Sequence, residues 1–370
     1  MDHLGAAAAA FAAPGAVVEL REYGQGNVND TFLVSVADPE GERFILQRLN
    51  PRVFQRPELI MANLATVTGH VQRHRLASPE SPPRRWELPH ARLTRDGRDH
   101  VIDAGGSFWR ALSFIADAQA FDTIQDIAHA VEVGYALGRF HTLLSDLPPA
   151  QLADTLPGFH QTTGYLKQYD RVLAAKGVAA APEAAYAARF VADRRDRAPV
   201  LENARHRGQL RQRPIHGDPK VNNVMLDAAT GRAVAMIDLD TVKPGLVHYD
   251  IGDCLRSGCN PLGEETAHRE QVRFEPELGR AILQGYLGVA REFLTGSDYA
   301  YLYDAIRLIA FELGLRFFTD YLAGNVYFRV KYREHNLARA LVQFKLTASI
   351  EAQASVIQAM IRELACTATP

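Results

Sequence analysis

Apolar positions first recur with a period near two and later at intervals of three and four, and that change of period divides the chain. Residues 17–20, the turn Tyr23-Gly24-Gln25-Gly26-Asn27 and the run from Val28 to Val36 predict strand, glycine turn, strand. Residues 44–49, Phe-Ile-Leu-Gln-Arg-Leu, predict a third strand. Pro57 opens a helix with Leu59, Ile60, Leu64, Val67 and Val71 on one face, expected to pack beside the small sheet. Residues 81–100 hold prolines and charges around Ala91-Arg92-Leu93, with Val101-Ile102 after them, which predicts a hairpin, and residues 108–115 predict a last strand. Val133, Leu137, Phe140 and Leu144 then mark one face of a central helix that Leu147-Pro148-Pro149 stops. From Pro276 onward the pattern is almost all helical.

Between these regions stands Ile215-His216-Gly217-Asp218-Pro219-Lys220-Val221-Asn222-Asn223-Val224-Met225, followed by Ile237-Asp238-Leu239-Asp240-Thr241. An apolar run, a polar hook, a second apolar run and a further acid is the layout of a catalytic loop with a metal-binding turn after it. Asp, four residues, Asn is the interval of the protein-kinase catalytic loop, and a later Asp after an apolar strand matches its metal ligand. Phosphoryl transfer needs a carboxylate beside the acceptor hydroxyl, then an amide oxygen and another carboxylate for the metal. Asp218, Asn223 and Asp238 supply these, and Lys220 is placed to touch the transferring phosphate. The plain alternative is a turn, since Asp and Asn bond their own backbone. Four polar identities inside two apolar frames make that alternative the poorer one. His216 reads as a buried histidine holding the loop, and Asp250 and Asp253 as acids that bond to the loop's backbone.

At 370 residues the chain exceeds one ordinary core, which predicts two lobes, 1–115 and 116–370. A hydrophobic share of 47% with 23% charged residues is that of a soluble globular protein. A formal net charge of -2 gives no reason to invoke nucleic acid or an anionic membrane, and the arginines of residues 171–213 read as a solvated helix face. The alanine-rich segment 5–14 lacks the positive charge that precedes a secretion signal and reads as a first helix. Cys254, Cys259 and Cys366 are too few for a disulfide framework or zinc cluster; all three read as packed thiols in a reducing cytoplasm.

Gly24 and Gly26, with Asn29 close behind, make a turn that lets backbone amides approach phosphates, although a Gly-x-Gly between strands is by itself more often a plain hairpin. The third strand carries Gln47 where kinases place a lysine. Three readings stay open there: Gln47 bonds a phosphate, Arg48 replaces the charge, or both are structural. Phe114 and Ile115 fall at the hinge that would hold adenine. The short connection 244–253 replaces a protein kinase's activation segment, which argues against a peptide acceptor. Residues 295–370 contain seven acids against eight bases, a balance that suits a neutral polar acceptor better than a polycation.

His216-Gly217-Asp218 and Asp238-Leu239-Asp240 resemble the aminoglycoside phosphotransferase superfamily. Residues 24–31, 46–54, 216–223, 238–245 and 317–322 together look like its N-acetylhexosamine 1-kinase branch. The resemblance implies an α+β, two-lobed protein-kinase-like fold, with a small antiparallel sheet followed by a larger helical lobe. It also implies ATP, Mg2+ and transfer of the γ-phosphate to O1 of N-acetylglucosamine or N-acetylgalactosamine. Carried over by position, Asp218 is the base, Asn223 and Asp238 are the metal ligands, and Arg316 and Tyr327 are sugar-binding groups. Asn27 stands where that branch commonly has a histidine reaching the sugar. A structural ion pair between Arg316 and Asp320 is an equal alternative. Kinases for aminoglycosides, choline or homoserine, and a catalytically silent nucleotide-binding scaffold, are the competing readings. A monomer and a dimer are both compatible with this sequence.

Overall fold

In the computed structural model, residues 3–13, 15–24, 28–37, 41–77, 84–177 and 181–366 are described. Helix α1 (His3–Ala10) leads into strands β1 (Val17–Glu22), β2 (Asp30–Val36) and β3 (Arg43–Arg48). Helix α2 (Pro57–Ala77) and the short strands β4 (Ala91–Arg92) and β5 (Val101–Ile102) precede β6 (Phe108–Ser113). The sheet is antiparallel, in the order β1-β2-β3-β6-β4, with β5 also on β6. Its alternation buries Val34, Val36, Phe44, Leu46, Trp109 and Ala111 on one face, where Ala7, Ala8 and Phe11 cover them. The alanine-rich first helix is therefore the cover of this sheet.

Two sequence expectations are corrected here. The segments β4 and β5 do not form a hairpin with each other. Ala91 pairs with Leu112 and Val101 with Trp109, so both lie along β6 at different ends. Each has only two residues in the ladder, too few to hold a pair without the longer strand. The apolar face of α2 reaches the sheet at β4 but is spent mainly on the larger lobe. Met61, Leu64, Val67 and Val71 join the large helical core, while Ile60 packs with Leu49 and Phe54. Asn63 fixes the helix there: its amide donates to the carbonyls of Val242 at 2.8 Å and Ala153 at 2.9 Å.

Beyond β7 (Ala118–Gln119) comes α3 (Ile127–Leu143), capped by Asp126, whose side chain accepts from the His129 amide. Helices α4 (Thr162–Lys176), α5 (Pro182–Ala192) and α6 (Val200–His206) follow. Strands β8 (Arg213–Ile215), β9 (Val224–Asp227), β10 (Ala233–Met236) and β11 (Lys243–Gly245) carry the polar hook between them. Helices α7 (Val247–Gly258), α8 (Pro276–Ala290), α9 (Gly296–Ala300), α10 (Leu302–Ala323), α11 (His335–Ala352) and α12 (Ala354–Cys366) complete the larger lobe.

Helices α3 and α8 cross at backbone contact: a Cβ on Gly134 would stand 1.9 Å from the Ile282 carbonyl oxygen, and one on Gly285 1.9 Å from that of Val131. Helix α3 in turn packs against β9 and β10. Among the described residues no helix is long and apolar enough to cross a membrane. Cys254 and Cys259 are buried as expected, but Cys366 is exposed, because it ends α12 beyond the last buried position of that helix, Leu364.

Candidate active site

Strand β8 ends at Ile215, and the chain turns sharply through Gly217. That residue has φ +87°, and a Cβ there would lie 2.6 Å from the Thr241 carbonyl oxygen. Both facts demand glycine. Asp250, at the start of α7, accepts the backbone amides of His216 at 2.6 Å and Gly217 at 2.9 Å, and His141 Nε2 faces the same carboxylate at 2.8 Å. The expectation that Asp250 bonds to the loop's backbone is met. Asp253 differs: it pairs with Arg256 at 2.7 Å, one turn along α7, so its charge is spent inside the helix.

His216 is fully buried, and its Nε2 lies 3.0 Å from the Ile237 carbonyl. Burial holds its imidazole below the ordinary range, in the neutral form. The Asp218 amide approaches His216 Nδ1 at 3.3 Å, so the ring ties the loop to the turn that carries Asp238. The Ile237 amide donates to the Asn223 carbonyl at 2.9 Å and closes the same junction.

Asp218, Lys220, Asn223 and Asp238 converge on this junction. Lys220 Nζ stands 3.0 Å from Asp218 Oδ2. Burial opposes ionisation of Asp218, but the ammonium beside it holds the carboxyl below the usual carboxylate range. The Asp218 charge in turn raises Lys220 above its ordinary value. Asn223 donates to the Asp218 backbone carbonyl at 2.7 Å, which leaves its Oδ1 without a hydrogen bond among the described residues.

Asp238 sits in the left-handed region at φ 62°, an uncommon conformation for a non-glycine residue, and opens to the cleft. The protein mass around the cleft floor and the charges of Asp240 and Asp218 push its carboxyl up to about 7. The repulsion is the part a cation would relieve. No set of three or more His, Cys, Asp or Glu side chains among the described residues is placed to hold a metal unaided. The uncommitted oxygens of Asn223 and Asp238 instead suit a hard cation that takes its other ligands from phosphate and water.

Gln47 has both ends of its amide engaged: Nε2 donates to Thr31 Oγ1 at 3.1 Å, and Oε1 accepts from Arg110 Nη2 at 2.7 Å. Arg48 pairs with Asp30 at 2.6 Å. Of the three readings left open there, these bonds describe the structural one. The buried cation at this place is Arg110, on β6, which is paired with the buried carboxylate of Asp240. Asn29 reaches the same carboxylate at 2.8 Å, while its own Oδ1 accepts from the Asn50 amide at 3.1 Å. Its side chain joins the two lobes here, a different employment from the nucleotide contact expected of it.

Sequence reasoning did not single out Arg110 or Asp240 as a pair. The available signal was an arginine between Trp109 and Ala111 in an apolar strand, which calls for a buried partner. His160 was also missed; its ring nitrogens lie 2.9 Å from Glu312 Oε1 and 2.8 Å from the Gly217 carbonyl oxygen.

Gly24, two residues past the end of β1, adopts φ +76°, whereas Gly26 and Asn27 lie outside the described residues. Phe114 lies against Tyr23, with ring centroids 6.1 Å apart, and Arg43 covers its ring at 4.5 Å. Ile115 is buried with Met225, Val234 and Ala235, where the sheet meets the larger lobe.

A cavity of about 1320 Å³ lies between the lobes, with walls that include Arg48, Thr155, Phe159, Tyr165, Arg316 and Tyr327. Asp218 is not one of its walls. Thr155 Oγ1 connects the two regions by donating to the Asp240 carbonyl at 3.1 Å; burial opposes the Arg316 charge, but the oxygens of Tyr165 and Tyr327 and, after them, Glu312 and Asp218 raise its pKa. The Arg316 guanidinium stands over the rings of Phe159 at 5.0 Å, Tyr165 at 5.1 Å, Phe328 at 5.5 Å and Tyr327 at 6.0 Å. The alternative of an ion pair with Asp320 is not realised. Asp320 instead accepts the amides of Val326, Tyr327 and Phe328 at 2.9, 2.9 and 3.0 Å, which holds the half-exposed Tyr327 at the cavity.

A family profile described as APH, phosphotransferase enzyme family, matches residues 19–290. Among solved structures, a microcompartment-associated aminopropanol kinase is similar with a TM-score of 0.63 at 19% identity, covering 94% of this chain and 95% of that one. A choline kinase from Cryptosporidium parvum Iowa II has a TM-score of 0.58 at 13% identity, with 93% and 91% covered. An amicoumacin kinase in complex with AMP-PNP, Ca2+ and Ami has 0.55 at 14%, with 95% and 89% covered. Likeness at these identities establishes the two-lobed kinase-like fold.

Proposed function

The chain belongs to the phosphotransferase enzyme family, and on that premise we propose that it moves the γ-phosphate of ATP to a sugar hydroxyl, the anomeric O1 of an N-acetylhexosamine. The observation that carries the reading is the convergence of Asp218, Lys220, Asn223 and Asp238 on one junction. Asp218, ionised beside Lys220, accepts the proton of the acceptor hydroxyl. The freed oxygen attacks the γ-phosphorus, the bond to the β-γ bridging oxygen breaks, and ADP leaves. Lys220 then has the growing charge of the transferred group within its reach. Asn223 and Asp238 would hold a divalent cation, magnesium, which supplies charge neutralisation at the phosphates when bound.

The remaining assignments belong to the same proposal. Gly24 lies along the phosphates, the Phe114-Ile115 link holds adenine, and Arg110 takes the place of the absent strand lysine as the buried cation near Asp238. Arg316 and Tyr327 contact the acceptor, and the arginine that occupies the aromatic rings disfavours a cationic amino alcohol relative to a sugar.

The test is ADP release with magnesium ATP against N-acetylglucosamine, N-acetylgalactosamine, other free sugars, kanamycin, choline and homoserine, with phosphorus NMR of each product. An anomeric phosphate from an acetylated hexosamine supports reaction and acceptor together. Turnover with choline or kanamycin alone would keep the phosphotransferase and discard the sugar.

A further inference from the structure

The charges lining the interlobe cavity are unequal once their pairings are counted. Asp30, Asp154 and Asp320 are the carboxylates in its walls. Each is committed elsewhere. Asp30 is shared by Arg48 at 2.6 Å and Arg329 at 3.0 Å. Asp154 meets Lys243 Nζ at 2.5 Å, and Asp320 is spent on backbone amides and the Asn336 side chain. Two further wall residues, Arg316 and Arg52, form no ion pair within 4.0 Å among the described residues.

Arg52 is exposed at the mouth, while Arg316 is half-buried. No described residue accepts a hydrogen bond from the Arg316 side chain. The rings of Phe159, Tyr165 and Phe328 fix its plane by cation–π contact, but ring faces do not satisfy N–H groups at the guanidinium edge. Partial removal from water without a carboxylate in contact is unfavourable, and a ligand oxyanion is the group that offsets it. A planar guanidinium is matched best by a carboxylate, through two parallel N–H···O bonds. Of the two arginines, only Arg316 is removed from water, and its single positive charge suits a monoanion better than a dianion.

The aromatic box has a second consequence. Such a cage would receive a quaternary or primary ammonium group, but here Arg316 itself fills it. A cationic acceptor would meet like charge at the place where its own charge should bind.

We propose that the acceptor alcohol of this cavity carries a carboxylate, bound by Arg316 in its aromatic box with Arg52 at the entrance. The inference rests on the reading of the cavity as the acceptor site of a sugar kinase, and it puts an acidic sugar in place of the neutral N-acetylhexosamine. The transfer itself is unchanged, since the carboxylate binds and takes no part in the bond exchange.

The experiment compares kcat/KM for matched acceptors with magnesium ATP: glucuronate against glucose, galacturonate against galactose, glycerate against glycerol, with N-acetylglucosamine, glucose 6-phosphate and choline alongside. The expected result is a preference of about tenfold or more for a carboxylate over its neutral partner, the size of one charge-assisted bond. Arg316→Gln should remove that preference, Arg316→Lys should retain part of it, and Arg52→Gln should weaken it severalfold in a chain whose fold the exposed position does not threaten. A neutral N-acetylhexosamine used as well as any acid overturns the inference and leaves the sugar kinase standing. Glycerate used in preference to every sugar supports the carboxylate and overturns the sugar. Preference for the phosphate ester or choline, an acid preference unmoved in Arg316→Gln, or no ADP with any acceptor, overturns the inference.

Discussion

The Lys220 ammonium rests 3.0 Å from Asp218 Oδ2, so the two groups proposed as base and phosphate-facing cation are in contact with each other. The pair keeps Asp218 ionised and Lys220 protonated. Asp218→Asn removes the proton acceptor and little volume. Turnover is expected to fall by roughly two or more orders of magnitude, with nucleotide binding retained. Steady-state kinetics beside a nucleotide titration checks this, and near-normal turnover would refute the role of Asp218.

His160 predicts a pH dependence. A neutral imidazole has one N–H, whereas the contacts to Glu312 and to the Gly217 carbonyl use both ring nitrogens. Burial opposes the charge, but Glu312 outweighs it and the pKa is raised above 6.5. A group with a raised folded pKa contributes stability that is fully present below its unfolded value and is lost as pH rises through the folded one. Melting temperatures should therefore fall as pH rises above about 6.5, and His160→Gln should flatten that slope. Parallel profiles for the two proteins would count against the imidazolium.

Gly217→Ala combines an unfavourable positive φ with a Cβ 2.6 Å from the Thr241 carbonyl oxygen. Conformational strain and overpacking together should cost about 2–4 kcal/mol. Urea unfolding would measure it. A loss below 0.5 kcal/mol would mean that the loop shifts freely, on the scale of ordinary surface changes.

The Arg110–Asp240 pair is buried on both sides. Asp240→Ala leaves the guanidinium without its counter-charge, at a cost of about 3–5 kcal/mol. Combining it with Arg110→Met should restore most of the stability but not the activity, if Arg110 supplies the cation near Asp238. Recovery of both in the double variant would assign the pair a purely structural part.

Much of the site could be read along the chain because its chemistry is local. Asp218, Lys220 and Asn223 lie within one hook, and Asp238 follows after one hairpin, so spacing alone brings them close. His216 as the buried brace and Asp250 as the loop's backbone acceptor were legible for the same reason. The face α2 presents to the larger core was not legible, because periodicity identifies an apolar stripe without naming what covers it. Likewise β4 and β5 carried strand signals, but pairing with β6 depends on which ladder is longer.

By itself, the sequence determined the order and interval of the reacting groups, and the glycine at 217 without which the loop could not turn. Tertiary structure alone decided the pairing of Arg110 with Asp240 across 130 residues, the brace from Glu312 through His160 to Gly217, and the isolation of Arg316 among aromatic rings. The reason is physical. Turn geometry and side-chain period act over a few residues, whereas the counter-ion of a buried charge is whichever group the packing of distant elements brings beside it.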